Sequence, residues 1–270
     1  MNYKCLSIAG FDGSGGAGIQ ADLKTFSALG CYGMTVLTAL PVQNTCGVKS
    51  CYDIPLQAIE EQLKAIFTDI MPDSIKIGML FSSPIIRLVA EYLGKYSNIP
   101  IVLDPVMCAK SGNRLLLPEA VTCLIEELIP LATVITPNLP EAYALAGFEG
   151  SMPSLACKLI KMGAKAVLLK GGHQHEHHSN DLFMDNQGQT ITLEAQRINS
   201  NNTHGTGCTL SAAIAAFLAQ GMSLVTACEL AKKYLFQAIL HGKNHSIGMG
   251  HGPVHHFFHL WNQNLYEHLH

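Results

Sequence analysis

The stretch Asn202 to Thr209, NTHGTGCT, places two glycines and a thiol directly ahead of the small-residue run LSAAIAA. Gly205 and Gly207 let the backbone come close to a ligand. The run after them reads as a helix, so the N–H groups of residues 205 to 208 lack intrahelical acceptors, and the helix dipole adds positive potential there. That combination suits an anion such as a phosphate; an ordinary helix start satisfies the same letters. Cys208 falls at this point, where the dipole is expected to lower its pKa and fit the thiolate for work as base or nucleophile. A small cysteine filling a helix start is the plain alternative.

A second glycine cluster, GSGGAG at residues 13–18, satisfies the dinucleotide pattern GxGxxG after an apolar run. That site also wants an acidic residue about 20 positions on for the ribose hydroxyl, and Leu23 to Tyr52 contains neither Asp nor Glu. A tight turn before a helix explains the cluster at least as well. No GxxxxGK followed by Ser or Thr occurs, which closes the common P-loop route to a nucleoside triphosphate. Asp104 and Glu141 are the best acidic candidates for charge chemistry, since both follow apolar runs, IVLD and VITPNLPE. Lys170 ends another run beside Gly171 and Gly172, where an ammonium reaches phosphates or snorkels to solvent.

Those residues need a frame. Short β-rich runs (KCLSIAG, MTVLTAL, SIKIGML, IPIVLDP, ATVITPN, AKAVLLKGG) alternate with amphipathic segments such as AGIQADLKTFSALG, LQAIEEQLKAIFTDI and SPIIRLVAEYLGKY. The rhythm predicts an α/β fold: a central, mainly parallel sheet with helices on both faces. Gly30 is expected to end the first helix. The polar excursion from His173 to Arg197 reads as a loop and then a hairpin turning near NQG, followed by long helices from about Thr206 to Ala219 and Leu224 to His241. In open sheets of this kind ligands sit beyond the carboxyl ends of the strands. GFDGSGGAG, PVQNT, GML, DPVM, TPNLPEA and KGGH are all read as strand-end segments.

Composition narrows the class. With 48% hydrophobic and 14% charged residues, the chain of 270 residues suits a compact soluble enzyme. It is read as one domain over 1–270, with no internal repeat or long linker. A net charge of -3 offers nothing to nucleic acid or an anionic membrane. Nine scattered cysteines without a CxxC pair favour reduced thiols and a cytoplasmic setting. Neither an export signal nor a membrane anchor is expected, LSAAIAAFLA being too short to span a bilayer.

Taken in order, IAGFDGSGGAGIQADLKTFSALG, QNTCGV, KIGML, LDPVMCAKSG, TPNLPEA, KGGH, NTHGTGCTLSAA and GHGPVHHF resemble the bacterial hydroxymethylpyrimidine/phosphomethylpyrimidine kinases of thiamin biosynthesis, over essentially the whole chain. The resemblance implies a ribokinase-like fold and transfer of the γ-phosphate of ATP to a vitamin-type hydroxyl, in two steps that end at the diphosphate. It implies that Cys208 stands where sugar kinases carry a catalytic aspartate, with Gly205, Thr206 and Gly207 around the migrating phosphoryl group. It further implies that Asp104 and Glu141 act on Mg2+ mostly through water, with Asn138 alongside, that Lys170 and Thr206 meet the nucleotide, and that a monovalent cation such as K+ can take part.

On the substrate side the resemblance brings in Gly10, Asp12, Gly15, Gly16 and Asp22. It makes Gln43, whose amide both donates and accepts, the reader of an aminopyrimidine edge. Met79 and Val106 are expected as apolar walls. Phe11, Gly13 and Asn201 depart from the commoner residues of the family. The resemblance also implies a homodimer. A pyridoxal kinase of the same fold is the nearest alternative; a thiol acyl-transfer enzyme needs a histidine paired with Cys208, and a non-catalytic vitamin-binding regulator leaves ATP unconsumed. His173, His175, His177 and His178 are read as a solvated loop, and closure of that loop, or of the segment near Ser111 and Gly112, over ATP is expected.

Overall fold

The computed structural model describes residues 2–109, 112–172 and 177–261. The chain opens with β1 (Lys4–Ala9), α1 (Gly18–Ala28) and β2 (Tyr32–Leu37), then makes an antiparallel hairpin of β3 (Ala39–Asn44) and β4 (Gly47–Asp53). Alternation resumes with α2 (Leu56–Asp69), β5 (Ser74–Ile77), α3 (Ser83–Leu93) and β6 (Ile101–Leu103). Next come α4 (Ala120–Cys123), which widens into a π turn over Leu124–Leu128, then β7 (Val134–Ile135), α5 (Leu139–Ala146), α6 (Met152–Lys161) and β8 (Ala166–Leu169). The chain continues through β9 (Asp181–Asp185), β10 (Thr190–Leu193), α7 (Thr206–Ala219) and α8 (Leu224–Gly242).

The main sheet runs β10-β9-β8-β7-β6-β5-β1-β2. Every pair from β8 to β2 is parallel, while β9 and β10 continue the edge as an antiparallel hairpin. Its strands are apolar on both faces because both are covered, and successive residues divide between two cores. Ile77, Leu103 and Leu169 pack with Leu63 of α2, Val89 of α3 and Leu155 of α6. Val102, Val134 and Leu168 meet Phe26 of α1 and Ala212, Ala213 and Ala216 of α7. Each such side chain taken out of water contributes about 2 kcal/mol, and the alanines let α7 lie close against the sheet.

The strand order reverses between β1 and β5, since β1 leads to β2 on one side and the chain then crosses back to β5 on the other. The connections part there and leave a crevice beyond the carboxyl ends. α7 contacts β1, β5 and β6, and its first turn ends at that crevice. Gly205, the residue ahead of α7, adopts a left-handed φ of 78°. A Cβ on it would lie 1.7 Å from the Gly16 carbonyl oxygen, so the bend before α7 rests directly on the first glycine turn.

Sequence expectations hold for the mainly parallel sheet, for α7 and α8, for Gly30 just past α1 at φ 78° and for the β9–β10 hairpin. They fail at MTVLTAL and PVQNT. The run breaks at Thr38, whose hydroxyl donates to the Met79 carbonyl, and Pro41 to Asn44 belong to β3 in the separate two-stranded sheet. Proline has no N–H to give a central ladder, whereas in the hairpin Pro41 simply faces Cys51. The short α4, α5 and α6 fall outside the helices named from sequence.

Because Gly205 has neither the space nor the φ for a side chain, Gly205→Ala is expected to lower unfolding free energy by about 3 kcal/mol. Urea titration measures this; a loss below about 1 kcal/mol would mean that the two loops separate at little cost.

Candidate active site

A cavity of about 780 Å³ lies over the carboxyl ends of the strands. Gln43, Met79 and Val106 line one end, Asn138, Glu141 and Lys170 the other, and the first turn of α7 borders both. Gly10, Gly205, Thr206, Gly207, Cys208 and Asp104 also face it.

The bend at Gly205 leaves the N–H groups of Gly207 and Cys208 without a protein acceptor among the described residues, and the helix ladder begins only with Thr209 donating to the Gly205 carbonyl at 2.8 Å. Thr206 departs from the expectation, since its N–H already reaches the Thr203 carbonyl at 3.4 Å. A Cβ on Gly207 would lie 3.3 Å from both Asp104 Oδ2 and Lys170 Nζ, so glycine there keeps the space beside that pair open.

Cys208 reverses an expectation. Burial pushes its thiol up to about 11; the charges of Asp22 and Asp104 add to this, while Lys76 and the Gly18 N–H work against it. Desolvation and two nearby carboxylates outweigh the helix terminus, so the thiol is neutral at rest.

Lys170 Nζ lies 2.9 Å from Asp104 Oδ1 and 3.9 Å from Glu141 Oε2. Burial alone would neutralise Lys170, but the two carboxylates raise its pKa and keep it charged. Thr136 Oγ1 donates to Asp104 Oδ1 at 3.2 Å. Asn138 caps α5 by accepting from the Glu141 N–H at 2.9 Å, and Glu141 Oε2 accepts from the Asn138 N–H at 2.8 Å. This reciprocal box fixes the Glu141 side chain. Burial, reinforced by Asp104 and countered by Lys170, raises the Glu141 pKa to about 7.

The oxygens of Asp104 and Glu141 suit a hard cation. No group of three or more His, Cys, Asp or Glu side chains gathers to hold a metal among the described residues. Two carboxylates fit Mg2+, which keeps several waters and takes further oxygens from phosphates.

At the other end, a register shift separates Val42 from Gln43 in β3, the kind of irregularity that re-aims a side chain. Gln43 Nε2 donates to the Phe11 carbonyl at 3.4 Å. Met79 packs with Ala39 and Leu115, and Val106 flanks them, giving an apolar bed. The hairpin tip is tied down: the His251 N–H donates to the Thr45 carbonyl at 2.9 Å and the Gly250 N–H to Thr45 Oγ1 at 3.2 Å.

Asp12 and Asp22 stand behind the cavity wall, fully buried. Asp12 accepts from the N–H groups of Ser14 at 2.9 Å, Gly16 at 3.1 Å and Ala17 at 2.7 Å, and pairs with His204 Nε2 at 2.7 Å. Burial would raise its pKa, but His204, Ser14 and the Ala17 N–H hold the carboxyl below the usual range. The GSGGAG cluster is therefore a carboxylate-organised turn, with Gly15 at a left-handed φ of 78° and Gly16 against the His204 ring. Asp22 instead binds Lys76.

Lys76 and His204 both line the cavity and were not singled out from sequence. A charged residue inside the otherwise apolar SIKI was the available signal for Lys76. Asn201 is exposed, and its carbonyl accepts from His251 Nδ1 at 3.4 Å. His173, His175 and Ser111 lie outside the described residues, while His177 and His178 are exposed.

Comparison with known proteins adds the lineage. The family described as phosphomethylpyrimidine kinase matches residues 12–255. A hydroxymethylpyrimidine/phosphomethylpyrimidine kinase of Rhizobium meliloti is 50% identical over 97% of this chain and 99% of its own. Among solved structures, an ADP complex of Bacillus subtilis pyridoxal kinase superposes with a TM-score of 0.88 at 38% identity, covering 97% of this chain and 100% of that one. A phosphomethylpyrimidine kinase of Clostridium difficile gives 0.77 at 44% identity, covering 88% and 99%. Matched by that family over residues 12–255 and 50% identical to one such kinase over 97% of its length, the chain belongs to the phosphomethylpyrimidine kinase family.

Proposed function

We propose that the protein transfers the γ-phosphate of ATP to 4-amino-5-hydroxymethyl-2-methylpyrimidine, and then a second phosphate to the resulting monophosphate, in thiamin biosynthesis. One observation carries the reading: the unsatisfied N–H groups of Gly207 and Cys208 border both an apolar, amide-bearing end and an acid–lysine end of one cavity. Phosphoryl transfer depends chiefly on positioning and charge neutralisation. Gln43 reads the ring edge, Met79 and Val106 hold its faces, and Gly10 gives it room. Lys170 and Thr206 meet the nucleotide phosphates, and Asn138 fixes Glu141. Asp12 and Asp22 act from behind the wall. Mg2+, when bound at Asp104 and Glu141, offsets charge on those phosphates.

In the first step the Cys208 thiol loses its proton to solvent and the resulting thiolate takes the proton of the acceptor hydroxyl, as the N–H groups of Gly207 and Cys208 hold charge on the migrating group. The monophosphate is already ionised near neutral pH, its second pKa being about 6, and needs no base. A cytoplasmic setting accords with nine free cysteines, and no helix among the described residues is long and apolar enough to cross a membrane. The exposed Leu40, Val42 and Tyr52 on the outer face of the hairpin offer an apolar surface for a homodimer.

Incubation with Mg-ATP and either hydroxymethylpyrimidine or pyridoxal, followed by mass spectrometry, tests the substrate. The pyrimidine mono- and diphosphates are the expected products; preference for pyridoxal would favour the kinase of the structural neighbour instead.

Cys208→Ala is expected to slow the first phosphorylation by about 100-fold or more and the second by much less, each acceptor being assayed separately. Equal losses would mean that the thiol only shapes the site.

Glu141 should also leave a pH signature. Since its pKa is raised to about 7, the carboxyl is protonated below that pH and a cation must displace the proton. The Mg2+ concentration for half-maximal rate should therefore rise from pH 7 to pH 6 by about 5-fold. Glu141→Gln is expected to flatten that rise to what the nucleotide's own protonation contributes; the same slope in both proteins would remove Glu141 from cation binding.

A further inference from the structure

Lys76 is a lysine in the middle of an apolar parallel strand, with its side chain wholly out of water. Its ammonium donates to both oxygens of Asp22, at 2.9 and 2.7 Å, and Ser7 Oγ donates to the same carboxylate at 2.6 Å. The third N–H has no protein acceptor among the described residues. Lys76 nonetheless forms part of the cavity wall together with Cys208. A Cβ on Gly78 would lie 2.8 Å from Nζ, so the residue that follows the strand leaves the ammonium its space. An ion pair buried this deeply is no help to stability compared with a well-packed apolar pair of similar volume.

We propose that Lys76, anchored by Asp22, is a positioning residue that supplies fixed positive charge to the Cys208 sulfur and the acceptor oxygen during the first phosphorylation. This rests on the kinase reading above. The electrostatics agree: Lys76 opposes the burial and the carboxylates that keep the thiol protonated. Burial would neutralise Lys76 itself, but Asp22, with Cys208 and Asp104, raises its pKa and keeps it charged. In the reacting complex the thiol has released its proton to solvent. As the acceptor oxygen bonds to phosphorus and the bridging P–O bond to ADP breaks, the hydroxyl proton passes to the sulfur. Negative charge lies first on sulfur and then on the departing ADP, and Lys76 keeps all its protons.

The test compares anionic iodoacetate with neutral iodoacetamide at Cys208, resolved by peptide mass because Cys46, Cys108 and Cys157 are exposed. In Lys76→Met the ratio of iodoacetate to iodoacetamide rates is expected to fall about 5-fold as the local positive charge disappears. An unchanged ratio in the folded variant would overturn the proposal. Should Lys76→Met fail to fold with Asp22 left unpaired, Lys76→Met/Asp22→Asn removes both charges. It should lose about 100-fold in the first phosphorylation and less than about 10-fold in the second, and equal losses would again overturn the proposal. A parent protein that phosphorylates neither acceptor would refute the kinase reading while leaving the reagent ratio to judge Lys76.

Discussion

The contact of Gly205 with the Gly16 carbonyl fixes where α7 begins, and the chemistry depends on that point. A helix start offers useful N–H groups only if its backbone is held while those groups stay free. Here the holding falls to Asp12, behind the cavity wall, and to His204 in that wall. Asp12 collects three backbone N–H groups of the first glycine turn and also binds the His204 ring. Two loops separated by nearly the whole chain are thereby tied through one carboxylate. The C-terminal segment completes the clamp: the His204 N–H donates to the Gly252 carbonyl at 3.0 Å, and His256 Nε2 meets Thr209 Oγ1 at 3.1 Å. Burial lowers the His256 pKa to about 3, so this last contact keeps a neutral ring through the physiological range.

Around that fixed bend the site gathers three carboxylates and two ammonium groups away from bulk water. Lys170 faces Asp104 and Glu141; Lys76 faces Asp22. Charges placed this way do little for folding, because desolvation offsets most of their attraction. Their value lies in low local polarisability, which makes each charge felt strongly by whatever enters. The excess of carboxylate over ammonium favours a cation, while the raised pKa of Glu141 comes first from its burial, with Lys170 opposing it and Asp104 adding to it.

Much of this is legible in the sequence. Apolar runs at regular intervals fix a parallel sheet, because only strands buried on both faces lose their polar alternation; α7 begins and ends at its expected residues for the same local reasons. Cys208, Asp104, Glu141 and Lys170 stand out as residues whose chemistry is out of keeping with simple packing, whereas Gln43 comes only from the resemblance to the family. What escaped depends on distance in sequence. Nothing local tells that Asp12 meets a histidine 192 positions away, that Asp22 neutralises Lys76, or that PVQNT leaves the main sheet. The dipole argument for Cys208 failed for a related cause: a helix terminus is visible in sequence, whereas the depth of burial and the carboxylates on neighbouring strands are not.

The raised thiol pKa gives a reason for cysteine at this position. A carboxylate at residue 208 would be a further resting anion beside Asp22 and Asp104, and it would repel an acceptor that itself carries a phosphate. A thiol at about 11, with the opposing pull of Lys76 already included, is neutral at rest, so it presents no charge to a monophosphate, which needs no base, and serves an alcohol through the thiolate left when its proton has gone to solvent. On the proposed reading, one cavity must take a neutral acceptor and then an anionic one. A group that is uncharged at rest and basic only in its minor thiolate form meets both demands, which a permanently ionised aspartate does not.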